Sequence, residues 1–252
     1  MLFRSESIST PLAWLGAVGY SLELYFDFWG YSLMSAGIGV MIGFPFITNF
    51  DHPYSSGSIS EFYRRWHATL GSWFRDYIYI PLGGSRKGEL RTVINLLVVW
   101  LITGFWHGIT LNFIVWGMSL CIIIILERLV VFKHLPKPLA WIVGKLNVLV
   151  LIPLTWVVFA ISDPFLLGNY FKRLFPFWGQ GIAVNQGDFM KNLTVYWPIL
   201  LPALILLIPG IFDFWANRRN RVVFNVIWLA MFWACIYSLA GAAGNPFMYF
   251  RF

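Results

Sequence analysis

A chain of 252 residues that is 59% hydrophobic and 12% charged, with a mean hydropathy of +0.70, carries too much apolar surface for a water-soluble domain and reads as an integral membrane protein. Its net charge of +7 does not indicate nucleic acid as a partner, because Lys and Arg are spread between the apolar runs. Cys121 and Cys235 both lie inside apolar runs, which excludes a disulfide framework and a cysteine-based metal centre.

In chain order, Met1 to Tyr20 joins a weakly basic start to an apolar stretch without a clear small-residue cleavage site, so it is read as retained. Stretches near the ~20 residues needed to cross a hydrocarbon core run from Pro11 to Asp27, Gly30 to Phe46, Thr92 to Phe105, Ile109 to Leu126, Leu139 to Ile161, Trp197 to Phe214 and Val222 to Ala242. Gly and Pro interrupt several of them. That predicts tilted, broken or re-entrant helices, with protein or a wet cavity satisfying the freed backbone groups. The fold class is all-α and polytopic, and neither a repeat nor a linker divides residues 1–252 into separate domains.

The basic residues give a topology. Arg64, Arg65, Arg75, Arg86, Lys87 and Arg91 fall in one connection, Arg128, Lys133, Lys137 and Lys145 in the next, and Arg218, Arg219 and Arg221 in a third. If each stretch crosses once, these and Arg4 share one side, leaving only Lys172, Arg173, Lys191 and Arg251 on the other. The bias places the basic connections and the N-terminus in the cytoplasm, with anionic lipid headgroups as the simplest partner.

The two long connections are Thr48 to Arg91 and Asp163 to Tyr196, and the first holds most of the candidate chemistry. From residue 59 to 78, a spacing of about 100° per residue puts Phe62, Tyr63, Trp66, Leu70, Trp73, Phe74 and Tyr77 on one face. Glu61, Arg64, Arg65, Ser72, Arg75 and Asp76 fall on the other. This predicts an interfacial amphipathic helix with Ser58 or Ser60 as N-cap. His67 sits at the border of its apolar face, either looking into a cavity or serving as a hydrogen-bonded spacer in a surface anchor. Tyr79 to Ser85, with Pro81, Gly83 and Gly84, reads as a helix stop and a tight turn.

His107, in G-F-W-H-G, follows an apolar run. An ionisable side chain in such a run costs about 2.5–3.5 kcal/mol on insertion scales, so a functional role is the default expectation. Gly104 and Gly108 remove bulk on two sides of the imidazole, as a substrate would require. Thr103, four residues earlier, is placed to hydrogen-bond one ring nitrogen and leave the other free to accept a proton. The competing interpretation makes Gly104 and Gly108 a small-residue packing site and His107 a polar link between helices.

From about Leu22 to Arg128 the chain resembles the membrane-bound O-acyltransferase family, in its bacterial branch that acylates cell-surface polysaccharides by alginate O-acetylation or teichoic acid D-alanylation. The matching words are Y-F-D-F-W-G-Y from Tyr25, N-F-D-H-P-Y from Asn49, I-S-E-F-Y-R-R-W-H from Ile59, W-F-R-D-Y-I-Y-I-P-L-G-G from Trp73 and G-F-W-H-G-I-T-L-N-F from Gly104. The ending P-F-M-Y-F-R-F from Pro246 is similar to the family's C-terminus.

The resemblance implies a ring of tilted helices around a thin centre, in the bacterial cytoplasmic (inner) membrane. It also implies acyl transfer from a thioester to a hydroxyl, with His107 as general base and His67 as the second functional histidine. It supplies no bound cofactor and no metal; the donor, acetyl-coenzyme A or an acyl carrier protein, is a co-substrate. On this reading Arg64, Arg65 and Arg75 hold a phosphate-bearing donor, and Trp66, Tyr77, Trp106, Thr103 and Asn112 line the path of donor and substrate. The acceptor is an extracytoplasmic polysaccharide, reached directly or through a secreted acyl-handling protein. The chain departs from the family at Trp29 and Leu33, where Ser and Asp are usual, and at Leu120, near which many relatives carry His. It also resembles the C-terminal part of the usual protein, so further N-terminal helices or a partner chain are expected to complete the tunnel. A transporter of lipid-linked sugars and an inactive family member are the alternative readings.

Overall fold

A computed structural model of the chain describes residues 8–178, 187–211, 214, 217–218 and 222–240. The C-terminal word from Pro246 and the last residues of the final predicted span lie outside the described residues. Helix α1 (Thr10–Met41) is followed by two short helices, α2 (Ile59–Arg65) and α3 (Ala68–Phe74). Then come α4 (Glu89–His107), α5 (Leu111–His134), α6 (Lys137–Ala160), α7 (Pro164–Leu174), α8 (Asp188–Leu206) and α9 (Val222–Ala240). Helices α4, α5, α6, α8 and α9 are long and apolar enough to cross a membrane, which makes this a multi-pass membrane protein.

Helix α1 corrects two predicted spans. Ser9 caps it, its hydroxyl accepting from the Leu12 amide at 3.3 Å, and Pro11 lies in the first turn. With neither proline nor turn between Asp27 and Gly30, the two predicted spans form one 32-residue helix, about 48 Å long at 1.5 Å per residue. Its start is tied to the connection after α6: Ser9 donates from its amide and hydroxyl to the Asp188 carboxylate, and Thr10 Oγ1 donates to the Arg173 carbonyl. Leu12, Ala13 and Ala17 pack there with Val157 and Ile161 at the end of α6. The beginning of α1 therefore lies on the face opposite the basic connections.

Other boundaries also move. The span predicted from Trp197 to Phe214 runs instead from Asp188 to Leu206, with Pro198 and Pro202 inside it. The connection after Asp163 is largely helical, since Asp163 Oδ1 caps α7 by accepting from the Phe165 and Leu166 amides. Helices α5 and α6 each contain a π-helical stretch, Glu127–Val131 and Asn147–Leu151, and these two stretches face each other through the Asn147–Glu127 hydrogen bond of 3.0 Å.

The predicted continuous helix over 59–78 is broken, and its first half is buried in the bundle. Residues 49–51 cross the chain at residues 65–68: the Asp51 amide donates to the Arg65 carbonyl at 3.0 Å and the Ala68 amide to the Asn49 carbonyl at 2.9 Å. This short antiparallel bridge between Phe50 and Trp66 takes up backbone groups that a helix would have used. Ile59 and Phe62 are fully buried in the main core with Trp66, Trp116 and Trp156, whereas Trp73 and Tyr77 beyond the break are exposed. Serine 58 supplies the predicted N-cap, its hydroxyl accepting from the Glu61 amide at 3.0 Å. Gly83 and Gly84, both with positive φ, make the predicted turn before α4.

Helix α2 begins inside the bundle, and Glu127 of α5 answers its first amides. The carboxylate is 1% exposed, accepts from the Ile59 amide at 2.9 Å and also takes the Asn147 side-chain amide. Replacing Glu127 by Ala strands these buried donors at about 1–3 kcal/mol each. The E127A chain is expected to unfold several degrees lower in detergent than the unaltered chain, as followed by circular dichroism; an unchanged midpoint would show that α2 is held by packing alone.

Candidate active site

The break between α2 and α3 places His67 in the left-handed region, at φ 48° and ψ 50°. A branched side chain would be strained there, whereas His is among the residues that tolerate it. Its ring is fixed by Asn49, whose Oδ1 lies 3.0 Å from His67 Nδ1. The amide orientation follows from its other partners: the Thr69 amide and hydroxyl point at the same oxygen at 3.2 and 2.8 Å, while Asn49 Nδ2 donates to Ser32 Oγ at 2.8 Å. An oxygen can only accept, so His67 carries its proton on Nδ1 and Nε2 keeps a lone pair. Burial, with the nearby His107 ring as a second cause, holds the His67 pKa below its usual value.

His107 is the last residue of α4, and its Nδ1 lies 2.8 Å from the Thr103 carbonyl oxygen. Again only the imidazole can donate, which leaves Nε2 unprotonated. The expected hydrogen bond to Thr103 is therefore made by the main chain; the Thr103 hydroxyl donates back to the Val99 carbonyl at 2.8 Å. Ring centroids of Trp106 and Trp116 lie 4.8 Å from the imidazole and that of Phe159 lies 5.6 Å away.

The glycines around His107 serve packing. A Cβ on Gly104 would stand 2.9 Å from the Phe113 carbonyl oxygen, and one on Gly117 2.7 Å from that of Trp100, so α4 and α5 approach through these two residues. At Gly108 the Phe113 ring occupies the same room. The idea that Gly104 and Gly108 open space for substrate is overturned.

Space comes from elsewhere. A cavity of 710 Å³ is lined by both His67 and His107, together with Tyr63, Arg64, Trp66, Arg75, Trp100, Thr103, Trp116 and Arg128. Along α5 it extends from Trp116 to Arg128, about 18 Å, which joins His107 to the basic face. Of the predicted site residues, His107, His67, Arg64, Trp66, Arg75 and Thr103 come together here. Arg65 does not: it pairs with Glu61 at 2.8 Å and donates to Ser55. Tyr77 is exposed beyond the break, and Asn112 is buried away from the cavity, donating to the Phe159 carbonyl at 2.7 Å. Trp106 is half exposed and flanks both imidazoles from outside the cavity lining.

Arg75 is engaged by Asp76 at 2.7 Å, whereas Arg64 and Arg128 have no carboxylate partner among the described residues. Asn49, Tyr63, Trp100, Trp116 and Arg128 were not foreseen. Asn49 lies inside a quoted word but 18 residues from His67, a separation that helical periodicity cannot bridge.

Comparison with known proteins identifies the family. Residues 5–138 match the model of the membrane-bound O-acyltransferase family. A probable alginate O-acetylase of Pseudomonas putida is 34% identical over 99% of this chain and 55% of its own length. A peptidoglycan O-acetyltransferase of Helicobacter pylori is 40% identical over 64% of this chain and 31% of its own. A teichoic acid D-alanyltransferase of Bacillus subtilis is 32% identical over 40% of this chain and 27% of its own. The chain belongs to the membrane-bound O-acyltransferase family, and spans about half the length of the first relatives it matches.

The lowered His67 pKa has a defined sign. The native state favours the neutral ring, so on acidification the unfolded chain binds the proton first. Stability attributable to this site is complete above the unfolded value of about 6.5 and is lost as pH falls toward the lower native value. Thermal unfolding midpoints in detergent should decline below that pH, and more gently in His67→Gln; identical slopes would remove His67 from the account.

Proposed function

We propose that this chain transfers an acyl group, acetyl by preference, from a thioester to a hydroxyl of an extracytoplasmic polysaccharide or its carrier, with His107 as general base. The observation that carries the reading is an imidazole with a fixed tautomer, its Nε2 lone pair available, in a cavity that runs to the basic face. The hydroxyl oxygen attacks the thioester carbonyl carbon as Nε2 takes its proton, a role typically worth 10²–10⁴ in rate. The Thr103 carbonyl and the C-terminal end of α4 then face an imidazolium. A helix C-terminus favours such a cation by about 0.3–1 kcal/mol at exposed sites and up to ~2 kcal/mol when partly buried.

Arg64 and Arg128 at the cavity mouth suit the phosphates of coenzyme A or of a phosphopantetheine arm, with Arg75 beside them. His67, held by Asn49, forms the wall on the basic side and keeps the cavity polar. The positive-inside bias orients the basic face to the cytoplasm, in a bacterial inner membrane, so donor enters from within. The names of the relatives support an alginate-like, peptidoglycan or teichoic acid acceptor on the far side, reached directly or through a secreted acyl-handling protein.

In proteoliposomes supplied with radiolabelled acetyl-coenzyme A and an alginate oligosaccharide, His107→Ala is expected to lower transfer by about 10²–10⁴ while the unfolding midpoint stays in place. Arg64→Ala and Arg128→Ala should raise KM for the donor and leave kcat close to its starting value. Undiminished transfer in the histidine variant, or movement of the glycan across the bilayer with no acyl product, would end this reading in favour of a carrier.

A further inference from the structure

Asn49 holds the corner between α2 and α3 in two separate ways. Its main-chain carbonyl accepts from the Ala68 amide at 2.9 Å and fixes the backbone where α3 starts. Its side-chain Oδ1 faces three donors: the Thr69 amide at 3.2 Å, the Thr69 hydroxyl at 2.8 Å and His67 Nδ1 at 3.0 Å. From α1, Ser32 Oγ accepts from Asn49 Nδ2 at 2.8 Å and keeps the amide in that orientation. Turning the amide over would set Nδ2 against the Thr69 N–H, donor against donor.

This arrangement decides which nitrogen of His67 carries the proton. With the proton on Nε2, Nδ1 and the Asn49 oxygen would face each other at 3.0 Å as two acceptors. The Thr69 hydroxyl, 3.4 Å from Nδ1, has already given its proton to Asn49 and cannot relieve that contact. A neutral histidine free in water favours the proton on Nε2, so Asn49 reverses the default. Meanwhile the other nitrogen is open: among the described residues His67 Nε2 has no hydrogen-bond partner and, unlike Nε2 of His52, is not sealed from solvent, in a residue that lines the cavity. Phe28 meets the imidazole edge-on at 4.8 Å and Trp106 lies 6.2 Å away, which holds the ring between aromatic neighbours.

We infer that Asn49 is a positioning residue for acyl transfer, which keeps His67 Nε2 an acceptor for an N–H or O–H of the ligand in the cavity; the inference rests on the acyl-transfer reading above. Two sources carry that chemistry: an amide N–H of the donor's pantetheine arm and a hydroxyl of the polysaccharide. Without the Asn49 oxygen the ring returns to its Nε2–H form and presents a donor to a donor. The main-chain bridge to Ala68 survives a side-chain substitution, so the effect runs through His67.

His67 is one of four histidines, and ¹⁵N-histidine spectra of the full chain in lipid nanodiscs, with His67→Gln to assign its signal, read the tautomer directly. The unaltered chain is expected to carry the His67 proton on Nδ1, and Asn49→Leu on Nε2. In proteoliposomes with acetyl-coenzyme A and an alginate oligosaccharide, Asn49→Leu is expected to lower kcat/KM by about 10–100-fold, as for outer-shell partners that orient metal-bound histidines. A rise in KM for acetyl-coenzyme A assigns the bond to the pantetheine arm, and a rise in KM for the oligosaccharide assigns it to the acceptor hydroxyl. Adding Asn49→Leu to His67→Gln should cost no more than about twofold further, because residues that act as one unit are not additive. Should Asn49→Leu fail to fold, Asn49→Ala removes the same oxygen with less bulk. A His67 proton on Nε2 in the unaltered chain, or losses from the two substitutions that multiply, overturns the assignment and leaves the acyltransferase reading intact. No transfer by the unaltered chain overturns that reading, and the part of Asn49 in the reaction with it.

Discussion

A helix that begins inside an apolar bundle has to find acceptors for its first amide groups, and everything at the candidate site depends on how α2 does so. The Glu127 carboxylate reaches across from α5 to the amide of Ile59 and also interacts with that of Ser60, while Ser58 takes the Glu61 amide. An anion at a helix N-terminus is stabilised by the partial positive charge there, and Asn147 neutralises part of the remaining acceptor capacity. Lys145 donates to the Tyr54 carbonyl at 2.7 Å and ties the preceding turn to the same helix, α6. The α2 segment is thus pinned at its start by groups from both helices that frame it. Its tip, Trp66 and His67, is carried deep enough to meet Trp156 and Trp106.

Sequence patterns were most informative where periodicity and apolarity act locally. The cores of α4, α5, α6 and α9 follow from apolar runs, and His107 stands out because a titratable ring at the end of such a run is costly. The words carrying the family resemblance contain both histidines and ten of the 24 residues that line the cavity. What the residues could not reveal is set by contacts far apart in the chain. The break after Trp66 is dictated by a strand crossing from residues 49–51, and the amphipathic pattern of 59–78 continues straight through it. The merger of two predicted spans into α1 turned on the absence of a breaker, which a hydropathy dip at Glu23 and Asp27 conceals. Thr103 was rightly singled out by its spacing, but the main-chain carbonyl accepts from the imidazole, because a Thr hydroxyl in a helix turns back to the carbonyl four residues earlier.

The glycine correction changes how the cavity itself is understood. In this bundle small residues bring α4 and α5 together at Gly104 and Gly117. Room for a ligand lies between these two helices and the broken segment, where α2 stops at Arg65 and the chain restarts at Ala68. Breaking that helix creates two obligations: the freed backbone groups need partners, and the residue at the corner needs a left-handed backbone. The bridge to residues 49–51 answers the first. His67 answers the second and places a ring at the corner.

The same bridge brings Asn49 to His67, so one device opens the space and sets the proton on the histidine that borders it. At the other wall the tautomer of His107 is set by its own helix. Both imidazoles therefore keep their Nε2 lone pairs, but His107 ends α4, where the helix dipole favours the charged form that proton abstraction produces, whereas His67 is the N-cap of α3, where it disfavours that form. That asymmetry is a physical reason to place the base at His107 and the supporting wall at His67. It holds whichever acyl group or acceptor the cavity receives.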